Sequence, residues 1–188
     1  LRIMGGEPMM NKEWANITYD MVKDNPERNI YIYTNGTVSP KNEQLELLKG
    51  RKVNFVITEY KLSVNVEKLR EKLTKYNFSF VSTKARNWTD CSSIKHHQRT
   101  ASQLQEVYKQ CCAKYLYTLL DGRLYSCPFI ANAAKLKGIQ DNPSNYVDLY
   151  SEPEIVKRKI KRLVGGVKFL PACDFCDGRP YDATSAKG

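Results

Sequence analysis

The sequence predicts an α/β chain in two parts, a run of β-α units over residues 1–100 and a smaller α+β segment over residues 101–188. In the first hundred residues, β-branched and aromatic runs alternate with stretches of helical period. Residues 84 to 100 are polar and aperiodic, which marks a linker, and five of the six cysteines fall in the last 78 residues. The 188 residues suffice for one substantial core or two modest ones. A hydrophobic share of 41% with 27% charged residues is that of a folded chain and excludes long-range disorder.

Leu1 to Met4 reads as a short strand ending in the turn Gly5-Gly6-Glu7-Pro8. Asn11 can cap a helix whose apolar residues Trp14, Ile17, Met21 and Val22 recur at helical spacing until Pro26. Asn29 to Thr34 is a strand stopped by Asn35-Gly36. Ser39-Pro40 opens a helix carrying Leu45 and Leu48 that Gly50 closes. Lys52 to Tyr60 is a strand, with Val53, Phe55 and Ile57 on one face. Ser63 caps a helix striped by Val66, Leu69, Leu73 and Tyr76, and Asn77 to Ser82 is the fourth strand. Short connections and right-handed crossovers make this sheet parallel. An open doubly wound sheet and a piece of a barrel both fit. In either, the functional loops follow the strands, where Gly5-Gly6-Glu7, Thr34-Asn35-Gly36 and Glu59-Tyr60 all lie.

Beyond the linker, Ser102 starts a short helix over Leu104 to Gln110. Lys114 to Ser126 folds as a hairpin about Asp121-Gly122. Residues 129 to 150 read as irregular. Glu154 to Val164 is a basic amphipathic helix with Ile155, Val156, Ile160, Leu163 and Val164 on its apolar side. No apolar run approaches the roughly 20 residues that span a bilayer, so no membrane partner is expected. The N-terminus lacks the features of a signal peptide, which makes the cytoplasm the expected location. The first residue is not Met and already lies in a strand-like run, so the natural N-terminus is expected upstream.

The cysteines carry most of the chemical signal. Cys111 and Cys112 precede the hairpin, Cys127 follows it, and Cys173-Asp174-Phe175-Cys176 forms a C-x2-C knuckle. Thiolates at the two ends of a hairpin, brought to a knuckle, supply four soft ligands for a zinc ion or an iron–sulfur cluster; spacing leaves the two open. Disulfides are disfavoured without a secretory signal. Cys91 stands apart in the linker and reads as a free thiol.

Gly-Gly-Glu-Pro after an early strand, Thr-Asn-Gly after the next, and Cys-x9-Gly-x4-Cys followed by Cys-x2-Cys resemble a radical S-adenosylmethionine enzyme with a C-terminal SPASM/Twitch domain. The resemblance covers nearly the whole chain. It implies strands 2 to 5 of a partial (β/α) radical SAM barrel, then a small α+β Twitch-like iron–sulfur domain. It implies that Gly5, Gly6 and Glu7 hold the amino group of S-adenosylmethionine, and that Cys112, Cys127, Cys173 and Cys176 bind one auxiliary 4Fe-4S cluster, with Cys111 competing for the first position. Asp182 and Ala186 stand where a SPASM domain would continue its cysteines, which points to the one-cluster Twitch type. The Cys-x3-Cys-x2-Cys loop of the cofactor-cleaving cluster is absent from the sequence. A second 4Fe-4S cluster is therefore expected on a segment upstream, and the chain alone is not expected to be active. A small-molecule or peptide substrate, with a carbohydrate or peptide favoured, and a flavodoxin- or ferredoxin-type reductant complete the implied set.

Other features carry less. Thr34-Asn35-Gly36 reads as a strand-ending turn, and His96-His97 as solvent-exposed, with no spaced carboxylate or cysteine partner. Trp88 and Asp90 could face a substrate. The run from Lys157 to Arg162 and the formal charge of +10 suit either a solvated helix face or an anionic partner. A non-enzymatic zinc module with a basic face on nucleic acid is the alternative to the enzyme. Its second knuckle is missing, and nucleic acid is not the expected partner.

Overall fold

The structure is a computed structural model that describes residues 1–61, 64–85, 88–89, 94–178 and 185–186; of residues 88–89 and 185–186 it describes the backbone alone. Ser63, Asp90, Cys91 and Asp182 lie outside the described residues, as does the Trp88 side chain. The chain divides into two units, residues 1–86 and 87–187. The sequence places this boundary at residue 100; residues 94–99 go with the second unit because they bond to the cysteine knuckle described below.

The first unit is mixed α/β. Its strands β1 (Arg2–Ile3), β2 (Ile30–Thr34), β3 (Val53–Glu59) and β4 (Ser79–Lys84) alternate with helices α1 (Trp14–Asp24), α2 (Asn42–Leu48) and α3 (Val66–Lys75). All three strand pairs are parallel and the spatial order is β1-β2-β3-β4. Strand order thus follows chain order, without the reversal that defines a doubly wound sheet. Alternation decides the faces: Ile30, Ile32, Val53, Phe55 and Ile57 are buried, while Tyr31 and Val81 on the opposite face are exposed. The buried face packs with Leu45, Leu48, Leu69 and Leu73, all fully buried, each stabilising by about 1.5 to 3 kcal/mol relative to exposure. The Phe55 ring meets Trp14 and Phe78 edge to face, at 6.4 and 5.5 Å between centroids. On α1 the buried positions are Trp14, Ala15, Thr18 and Val22, whereas Ile17 is exposed. Thr18 can be buried because its hydroxyl donates to the Trp14 carbonyl at 2.7 Å.

The second unit begins its helical part at α4 (Ala101–Gln110), where Thr100 caps and the Gln103 side chain reciprocates by accepting from the Thr100 amide. Its antiparallel sheet has the order β6 (Thr118–Leu120), β7 (Arg123–Tyr125), β8 (Tyr146–Asp148), and a separate pair joins β5 (Trp88–Thr89) to β9 (Ser185–Ala186). The expected hairpin forms, and Asp121 and Gly122 both have positive φ, 50° and 73°, as a two-residue primed turn demands. The stretch expected to be irregular instead contains α5 (Pro128–Lys135) and β8. Pro128 presets the first turn of α5 and buried Ile130, Ala131 and Ala133 hold it down, so its small residues are helix formers against a core. Helix α6 (Pro153–Gly165) lies beside β8 and buries Leu163. No helix among the described residues is long and apolar enough to cross a membrane.

Gly36 follows β2 with φ +70°, and a Cβ there would stand 2.6 Å from Val66 Cγ2. Gly50 has a similar φ of +73° but open space around it. Gly36→Ala should therefore lower the unfolding free energy by about 2 to 4 kcal/mol in urea titration. Gly50→Ala should cost only about 1 to 2 kcal/mol.

Candidate metal centre

Four cysteines of the second unit line one hollow: Cys111, Cys127, Cys173 and Cys176. Three elements bring them there. Cys111 caps the C-terminus of α4, Cys127 is the residue before Pro128 at the start of α5, and Cys173 lies in a 3-10 turn over Pro171–Phe175 that ends at Cys176. Val107, Tyr108, Phe129 and Ile130 complete an apolar wall around a cavity of about 30 Å³, room for roughly one water. Cys112, the expected first ligand, does not line the hollow; its neighbour Cys111 does. The sequence held a sign of this. Leu104, Val107, Tyr108 and Cys111 follow one another at i, i+3, i+4 and i+7, which puts Cys111 on the inner stripe of α4 and turns Cys112 away from it.

Backbone amides point at the sulfurs. Ala113 N donates to Cys111 Sγ and Gly178 N to Cys176 Sγ, both at 3.4 Å. Such donors favour the thiolate over the thiol. At Cys127 burial prevails: the thiol is pushed up to about 12, by desolvation first, with the Ile130 and Phe129 amides lowering it and the neighbouring Cys173 and Cys111 raising it. Cys173 is raised to about 11, by burial first and then Cys111 and Cys176, against a smaller lowering by Arg99. Tyr108, on the same wall, is raised to about 12 by burial and then by Cys173.

The knuckle is held by the segment 94–99. Lys95 N donates to Phe175 O at 3.1 Å, His97 N to Asp174 O at 2.9 Å, and Ile94 bridges Cys176 antiparallel. Arg99 N donates to Asp174 Oδ1 at 2.8 Å, and its guanidinium donates to the carbonyls of Cys173 and Cys176 at 3.0 and 2.8 Å. His96 is exposed, as expected, and His97 half-buried, but both histidines have a carboxylate neighbour. His96 Nε2 is 2.9 Å from Asp174 Oδ2 and its ring stacks on Phe175 at 4.8 Å. His97 Nε2 is 3.0 Å from Asp177 Oδ1, a close contact without the alignment of a hydrogen bond. The carboxylates that the sequence does not show near these histidines come from the far end of the chain.

In the first unit, Glu7 is buried and joins two strand ends. Its Oε2 accepts from Thr34 Oγ1 and from Asn35 N, both at 2.8 Å, and Oε1 accepts from Met9 N at 3.1 Å. A carboxylate has about four acceptor sites, so one on Oε1 is left over among the described residues. Beside it Gly5 and Gly6 have nothing within 4 Å of where a Cβ would stand, and they line a hollow of about 220 Å³ with Asn11 and Trp14. The indole Nε1 of Trp14 is buried and has no hydrogen-bond partner among the described residues. Thr34-Asn35-Gly36 is a locked turn: Thr37 N donates to Asn35 Oδ1 at 2.9 Å and Gly36 N to Thr34 Oγ1 at 3.1 Å. Glu59, the last residue of β3, pairs with Arg70 and accepts from Ser82 Oγ at 2.6 Å.

No protein-family model matches the chain, and no curated protein matches it. Among the described residues, no group of three or more His, Cys, Asp or Glu side chains stands ready to hold a metal ion. A tetrahedral zinc site with Zn–S bonds of about 2.3 Å requires sulfurs about 3.8 Å apart.

Two expectations follow. In the metal-free chain, thiols whose folded pKa is raised from an ordinary 9.0 to about 11 and 12 leave stability intact below pH 9 and withdraw it as pH rises through 11 to 12. Urea midpoints measured from pH 8 to 11 should fall at the alkaline end, with a shallower fall in Cys127→Ala. Glu7→Ala strands three donors and should cost about 3 kcal/mol by the same measurement, against about 1 kcal/mol for Thr34→Val.

Proposed function

We propose that the chain is part of a radical S-adenosylmethionine enzyme, with one auxiliary 4Fe-4S cluster bound by Cys111, Cys127, Cys173 and Cys176. The observation that carries the reading is the convergence of four thiols from three elements on one apolar hollow, two of them accepting amide N–H bonds. A cluster spreads its thiolates over several irons, so its ligands need not close to the spacing of one zinc shell. The donor set fits such a group by chemistry, and the thiols must turn outward to seat it because the free volume is that of about one water. Cys111 replaces Cys112 in the proposed set because only Cys111 lines the hollow.

When bound, the auxiliary cluster would supply a one-electron acceptor or relay. The chain's own residues do the rest. Arg99 and the segment 94–99 fix the knuckle, the Ala113 and Gly178 amides and the Arg99 charge compensate thiolate charge, and the apolar wall keeps water from it. Loading must release protons, because at neutral pH the Cys127 and Cys173 thiols are protonated.

For S-adenosylmethionine, the Gly5 and Gly6 carbonyls and the remaining Oε1 site of Glu7 are acceptors for an ammonium group at a bare turn. The parallel β-α units in chain order and the loops after β1 and β2, tied by Glu7, support a barrel segment. Cofactor cleavage needs the cysteine triad that these residues lack, so it is assigned to the parent protein with a flavodoxin- or ferredoxin-type reductant. The proposed substrate class is a carbohydrate or peptide.

Anaerobic reconstitution with iron and sulfide tests the cluster. Expected are about four irons per chain and a broad absorption near 400 nm, lost in Cys111→Ser and kept in Cys112→Ser. One tightly held zinc with no such absorption would replace this reading by a zinc module.

A further inference from the structure

One concavity of the second unit belongs to neither the cysteine nor the glycine site. It is a cleft of about 580 Å³ between α6, the start of β8 and the segment 166–171. Lys159 and Arg162 line it from α6 and Lys168 from the segment opposite, together with Ser144, Gly166 and Phe169. Among the described residues no acidic one lines it. Among the described residues none of the three cations forms an ion pair, whereas Lys157 on the same helix lies 3.9 Å from Glu154. Three uncompensated charges around one concavity repel one another, and a multiply charged anion relieves that repulsion.

Two features of the chain could weaken this attraction. Gly166 caps the C-terminus of α6, where the helix dipole places about half a negative charge. Three full positive charges outweigh it. The outer cations of α6 could extend the charge into a track for a polynucleotide. Spacing argues otherwise: Lys159 and Arg162, at i and i+3, share one flank, while Lys161 falls on the outer face. A track also needs successive free stacking platforms; of the two half-buried aromatic residues that line the cleft, Tyr146 has its ring under the Arg123 guanidinium at 4.2 Å and against Tyr125, which leaves Phe169.

We propose that this cleft binds a small diphosphate ligand. Arg162 offers a planar fork for two phosphate oxygens, Lys159 and Lys168 add point charges, and Phe169 offers a face to the organic part. A volume of about 580 Å³ lies within the range of small-ligand pockets. The proposal stands on the cleft alone and does not depend on the cysteine centre.

Titration calorimetry of the full chain with inorganic pyrophosphate and with adenosine diphosphate tests it. Both should bind saturably with one site per chain. Arg162→Gln and Lys168→Gln, at exposed positions, should each weaken both ligands about tenfold. Phe169→Leu should weaken adenosine diphosphate and spare pyrophosphate. Lys161→Gln should change neither, and thermal melts of every variant report whether the fold is kept. Absence of saturable pyrophosphate binding at 10 mM would overturn the proposal. So would equal losses in Lys161→Gln and Arg162→Gln, or a single-stranded oligonucleotide that displaces pyrophosphate with an affinity rising with its length.

Discussion

Everything about the cysteine hollow depends on one seam, the antiparallel run of residues 94–99 along the knuckle at 173–177. Arg99 is its centre: one residue satisfies the carboxylate of Asp174 and the carbonyls of both knuckle cysteines. Backbone carbonyls that face a low-dielectric wall need donors, and charge-assisted ones are the strongest available. Cys173 and Cys176 are thereby held against Cys127 and Cys111, which come from elements far apart in sequence. The hollow is lined from three elements because the chain closes back on itself there.

The first unit has its own equivalent on a smaller scale. Glu7 caps a short 3-10 turn over Pro8–Met10 by accepting from the Met9 amide, and it is tied as well to the end of the neighbouring strand. Charge is the cost of this device, since a buried carboxylate must be matched by donors. Three are present, two of them backbone amides, so the turn is fixed largely by groups that every residue type but proline carries.

What the sequence reveals and what it hides divide along range of interaction. The four parallel strands are legible because Ile30 to Thr34 and Val53 to Glu59 alternate cleanly and are bounded by Asn-Gly, Pro and Gly punctuation. The hairpin at Asp121-Gly122 is legible for the same reason. Helix α5 is not, because Phe-Ile-Ala-Asn-Ala-Ala becomes a helix only against the core formed by Val147 and Leu163. Cys111 and Cys112 are adjacent and chemically equal, and only the rotation of α4 separates them. His96, His97 and Arg99 look solitary because their partners lie some 75 positions later.

The amides that point at sulfur carry one more consequence, for how the chain tolerates substitution. At 113 the hydrogen bond needs only an N–H, but the side chain is buried on the lining of the hollow, so other small residues could stand there and proline could not. At 178 the φ of +91° adds a demand for glycine. Two positions that support the hollow equally would therefore drift differently over time, one among several small residue types and the other fixed. A comparison of residue identities would credit Gly178 and overlook Ala113, although both deliver the same hydrogen bond.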